Sequence, residues 1–138
     1  MKIDAIANLA QESARVCLQQ KEKESADITT FWPFMLIEGN CTALVLFAPD
    51  FEAKAPIFKE RAKEGWVGNG RDWNSVAQAI VKEQFHQLAG EFRFDSDAGH
   101  FATYGTKVNL TVLGYALKIA FDDDHILRDI LFRAKLQD

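Results

Sequence analysis

Gly65-Trp66-Val67-Gly68-Asn69-Gly70-Arg71-Asp72-Trp73 is the stretch on which the fold of this chain turns. It holds three of the chain's eight glycines and two of its three tryptophans, so tight backbone and bulky apolar surface fall side by side. Glycine takes positive φ and close backbone approach without a Cβ penalty, whereas tryptophan brings the largest apolar side chain. Asn69-Gly70 is a turn dipeptide, since both residues accept the left-handed conformation cheaply. After it, Trp73, Val76, Ala77, Ile80, Val81 and Leu88 recur at helical spacing. The pattern predicts a turn built on Gly68 and Gly70, then a helix from Trp73 to about Leu88 that Gly90 ends. Asp72 stands at the helix start as its expected N-cap, accepting from the amide of Asn74 or Ser75. Trp66 and Trp73 then grip the core on either side of the turn. A phosphate cradle is the competing interpretation of Gly68-Asn69-Gly70. Against it, the third glycine of a dinucleotide fingerprint and the Gly-Lys-Ser/Thr of a P-loop are missing, and Asp72 sets a negative charge beside any phosphate.

Upstream of this stretch, residues 31–37 and 42–47 are short aromatic and aliphatic runs joined by Glu38-Gly39-Asn40, which supplies hairpin turn chemistry. Neither run alternates cleanly, so a well-covered sheet is expected rather than a solvent-facing one. Pro33 has no amide to donate, which places its strand at an edge or starts it just afterwards. Residues 51–64 suit a short surface helix beginning near Ala55, with Pro56 in its first turn. Ahead of the hairpin, Ile3, Ile6, Leu9, Ala10, Ala14 and Cys17 trace one face of a helix reaching about Lys23.

Downstream, Phe92 and Phe94 alternate with Glu91, Arg93 and Asp95, and residues 95–99 form a loop of turn residues. Residues 100–104 return as a strand and complete a second hairpin over 91–104. Thr106 caps a helix through Leu110, Leu113 and Leu117, expected to be the most buried one, in which Gly114 marks a close approach. Asp122-Asp123-Asp124 breaks the chain before a last amphipathic helix over Ile126, Leu127, Ile130, Leu131 and Ala134. The fold expected is one α+β domain: an antiparallel sheet of about four strands from two hairpins, with flanking helices.

A length of 138 residues fits one domain, and 48% apolar with 26% charged residues is ordinary for a globular one. The net charge of -4 argues against nucleic acid as the ligand and suits a basic partner. No apolar run is long enough for a bilayer span or a signal peptide, so the cytoplasm, with no membrane partner, is the expected address. Cys17 and Cys41 fall on a helix face and at a strand start, as small core residues without a metal or disulfide pattern. His86, His100 and His125 make no ligand spacing, and no nucleophile motif is present, so no catalytic residue, metal ligand or cofactor is assigned. Asp95 and Asp97 alternate as at the start of a calcium loop, whose later ligands are missing.

Two of these stretches carry a family resemblance. Gly68-Asn69-Gly70-Arg71-Asp72-Trp73 and its helix, followed by Phe94-Asp95-Ser96-Asp97-Ala98-Gly99-His100-Phe101, resemble the bacterial immunity proteins of polymorphic toxin systems. The match is to the immunity-protein family numbered fifty-one, with its Gly-Asn-Gly-Tyr-Asp-Trp motif and Phe-Asp-x-Glu-Ala-Gly-x-Phe loop, and covers residues 58–135. Arg71 replaces the motif's tyrosine and Asp97 its glutamate. The resemblance implies a stoichiometric inhibitor, not an enzyme, which binds a cognate toxin effector domain, a nuclease being one such toxin class. A small enzyme of another type and a scaffold or adaptor domain are the alternatives. Exposed positions around the motifs are the expected toxin contacts: Trp66, Asn69 and Arg71 at the turn, and Asp95, Asp97 and His100 at the second loop. Trp and Arg are favoured interface anchors and carboxylates pair with a basic cleft. Equally, Trp66 is core and the carboxylates form Asx turns.

Overall fold

The structure is a computed structural model that describes residues 31–136. The expected first helix over 3–23, with Cys17, lies outside the described residues. Four strands, β1 (Met35–Ile37), β2 (Ala43–Phe47), β3 (Arg93–Phe94) and β4 (His100–Tyr104), form one antiparallel sheet in the order β1-β2-β4-β3. The helices among the described residues are α1 (Ala55–Lys59), α2 (Gly70–Gln84), α3 (Lys107–Asp122) and α4 (Asp124–Arg133). The α+β fold with two hairpins is therefore as expected, and the second hairpin joins the first through β4 against β2, with Leu44 opposite Thr103 and Leu46 opposite Phe101.

Alternation along the strands divides the sheet into two apolar faces. Leu36, Leu44, Leu46 and Phe101 point into the main core with the helices, while Ile37, Ala43, Val45, Ala102 and Tyr104 form a second buried cluster on the other face. Burial on both faces explains why neither strand of the first hairpin alternates with polar residues. β1 begins only at Met35, an edge strand; residues 31–34 form a turn closed by the Phe34 amide donating to the Phe31 carbonyl, and Pro33 sits inside it. Cys41, expected as an isolated core residue, is half-buried against the second cluster and disulfide-bonded.

Helix ends follow local chemistry. Pro56 occupies the first turn of α1, and the Thr106 hydroxyl caps α3 by accepting from the Asn109 amide. Asp123 caps α4 by accepting from the amides of His125 and Ile126. Two expectations need correction. The helix after the glycine turn stops at Gln84, because Phe85 leaves helical backbone and a 3-10 segment, His86–Glu91, carries Leu88 and Gly90. The most buried helix is α2, not α3. Ten of its residues are buried against five in α3, whose Val108, Tyr115 and Ile119 face outward. Gly114 in α3 does mark a close approach, since a Cβ there would stand 3.0 Å from the Phe31 ring. No helix among the described residues is long and apolar enough to cross a membrane.

Candidate functional site

The glycine stretch and the β3–β4 loop build one unit. Gly65 (φ 106°) ends a 3-10 turn, Ala62–Glu64, and sends the chain inward, so that Trp66 lies 2% exposed with its ring 6.2 Å from Phe58. Gly68 (φ 87°) turns the chain again against α1, where an added Cβ would meet Ala55 Cα at 3.0 Å. Positive φ falls at these two glycines and not at Asn69-Gly70, as the dipeptide alone implies. Asn69 is extended and is the N-cap of α2, its side-chain oxygen accepting from the Asp72 amide at 3.0 Å.

Asp72 is thus at the third position of the helix, not its cap. Its carboxylate, 4% exposed, turns back and accepts from the amides of Val67 and Gly68, both at 2.7 Å. The pair resembles a capping box in which the returning acid reaches past the cap to the two amides before it. A carboxylate at a helix N-terminus also meets the positive end of the dipole. Asn69 and Asp72 are both cap-type residues, three positions apart, and residue type alone does not show which one caps. Trp73 follows, fully buried, with Phe34, Phe58 and Phe121 at 5.4, 5.2 and 5.8 Å between ring centroids.

Gly70 explains the coupling to the second loop. An added Cβ would run into the carbonyl oxygens of Asp97 and His100, so the loop backbone lies directly on the first turn of α2. The Gly70 amide points to the Ala98 carbonyl at 3.4 Å, and Ser96 Oγ donates to Asn74 Oδ1 at 2.8 Å while accepting from the Ala102 amide. Asn74 and Ser96 were not singled out in the sequence, although each lies within or beside a motif. Asp97 Oδ1 accepts from the amides of Gly99 and His100, the Asx turn expected, and stands 3.0 Å from His100 Nδ1. His100 Nε2 faces the Asp95 carbonyl at 3.1 Å.

The fold brings Asn69, Arg71, Asp95, Asp97 and His100 into one neighbourhood. Arg71 and Asp97 are exposed; Asn69, Asp95 and His100 are half-buried, and Asn69 is spent on its cap. Trp66 offers a partner no surface, because the turn at Gly65 drives its ring into the core. Val67 beside it is 50% exposed and takes the outward position instead. Among the described residues no group of three or more His, Cys, Asp or Glu is placed to hold a metal ion.

A family model described as Immunity protein 51 matches residues 34–136, most of the chain and including the first hairpin. No curated protein and no solved structure matches significantly.

Proposed function

The chain belongs to the immunity protein 51 family, and from that premise we propose that it binds and neutralises a cognate toxin domain by forming a one-to-one complex. The observation that carries the proposal is the joining of the two stretches that bear the family resemblance into one packed unit, with Gly70 pressed against the β3–β4 loop. That unit holds Arg71, Asp97 and Val67 outward on a backbone tied by the Asp72, Asn69 and Asp97 hydrogen bonds. A preorganised surface of this kind lowers the ordering cost of association. The contact role falls to Arg71 and Asp97, with Asp95 and His100 as supports of the loop. The protein acts as a stoichiometric binder and not as a catalyst, and its partner is a protein rather than nucleic acid.

The test is co-expression with the C-terminal toxin domain encoded beside this gene. The expected result is rescue of growth and a complex that elutes at one-to-one stoichiometry. Absence of both rescue and complex with that domain, from folded protein, would overturn the proposal.

A further inference from the structure

A charged groove runs away from the motif unit along α2. Arg71, Ser75, Gln78 and Lys82 are spaced four, three and four residues apart, so they lie on one line of the helix, about 16 Å long at 1.5 Å per residue. Beside this line is a cavity of about 350 Å³, with Ser75 and Ala79 as its floor and Lys82 on one wall. Arg133 and Lys135, at and beyond the end of α4, form the other wall. A second cavity of about 250 Å³ shares Gln78 and Lys82 and reaches the apolar rings of Phe92 and Phe94. The floor is preformed: Ser75 is 2% exposed and its hydroxyl donates to the Arg71 carbonyl at 3.3 Å.

The charges here run against those of the whole chain. The groove's acid, Glu83, is held by Arg133 at 2.7 Å, and Arg133 also holds Asp129 at 2.8 Å. Arg71, Lys82 and Lys135 have no ion-pair partner among the described residues. Lys82 and Lys135 therefore line the cavity without an ion-pair partner, and Arg71 continues their side of α2, in a protein whose net charge is -4. A nucleic acid would be repelled by the remaining surface, whereas a short acidic protein segment meets only the local field. The apolar rings at the far cavity suit a large hydrophobic residue next to that segment's acids.

We propose that this groove seats an acidic segment of the toxin, extending the interface from Arg71 along α2 to Lys82 and Lys135. The inference rests on the immunity function proposed above. It also separates two halves of the surface: a basic part of the toxin meets the loop at Asp97, and an acidic part meets the groove.

The experiment measures association of the neighbouring toxin domain with the full chain and its variants, at ~50 and ~300 mM salt. Lys82→Glu and Lys135→Glu, singly and together, are compared with Lys63→Glu, an exposed lysine on the 3-10 turn outside the groove. The double reversal should slow association ~10-fold or more at low salt, and the difference should shrink at high salt. Lys82→Gln with Lys135→Gln should give a smaller loss, and serves if the reversed form folds poorly. If the wild-type chain binds and the groove reversals do no more than Lys63→Glu, the groove assignment falls while the immunity function stands. If the wild-type chain does not bind at all, the immunity function falls first. Tighter binding of a short single-stranded oligonucleotide than of the toxin domain, lost on the same reversals, would overturn the acidic-segment assignment in favour of a nucleic acid.

Discussion

Removing the Asp72 carboxylate separates a simple helix cap from the strap that the structure contains. In Asp72→Ala two amides lose their acceptor, those of Val67 and Gly68, each bonded at 2.7 Å to the same oxygen. Val67 is exposed and its amide regains water at little cost, whereas the Gly68 amide is buried. A buried donor left unsatisfied costs ~1–3 kcal/mol. Loss of an anion at the helix N-terminus adds ~0.3–1 kcal/mol. Relief of the carboxylate's own desolvation acts in the other direction. Those ranges sum to ~1.3–4 kcal/mol before that relief is subtracted. Asp72→Asn keeps a carbonyl oxygen that can accept both amides and loses only the charge assistance, so ~1–1.5 kcal/mol is expected. Asn69→Ala, which removes the true cap, should cost ~1 kcal/mol. Urea unfolding of the three variants at equal slope gives these differences directly. Equal losses near ~1 kcal/mol for all three would show that Asp72 is an ordinary capping residue and that the strap has no energetic weight.

Gly70→Ala should destabilise by ~3 kcal/mol or more, because the added methyl meets two backbone carbonyls that cannot rotate away as a side chain can. Unchanged thermal unfolding of that variant would mean that the loop does not lie on α2. Tyr104 is pushed up to about 12 by burial first and by the nearby Asp95 carboxylate second. A phenol held neutral in the folded state contributes stability that is full below pH ~10 and is lost as pH rises through the folded value. Absorbance titration of a Tyr115→Phe variant isolates Tyr104; ionisation near pH ~10 with the fold intact would contradict its burial.

Features set by local chemistry were legible in the sequence. Glu38-Gly39-Asn40 bounds a hairpin, Thr106 caps its helix through its own side chain, the three aspartates 122–124 mark a helix break, and His100–Tyr104 is a strand from end to end. Features set by long-range packing were not. An apolar circumference predicted burial for α3, yet burial depends on what lies opposite, and Val108 and Ile119 have nothing there that covers them among the described residues. Helical spacing continued to Leu88, but spacing alone does not distinguish an α-helix that persists from one that tightens into 3-10 geometry after Gln84. Trp66 is a third case: its side depends on the positive φ of Gly65, which a glycine permits without prescribing.

The contrast between Arg71 and its neighbours ties the Gly68–Trp73 stretch to its proposed use. Asn69, Gly70, Asp72 and Trp73 are each fixed by a separate contact: a cap, a backbone approach, a double acceptor and an aromatic cage. Removing any of these side chains, or adding one at Gly70, disturbs a contact inside the fold. Arg71 occupies the second helical position with its side chain in solvent, so nothing in the fold distinguishes arginine from the tyrosine of the motif it resembles. A position free of internal constraint but held by four constrained neighbours can change to suit a partner without changing the scaffold. Lys82 and Lys135 have the same freedom at the groove. The motif residues thus specify the unit, and the specificity for one toxin is proposed to lie in the exposed side chains that the unit carries.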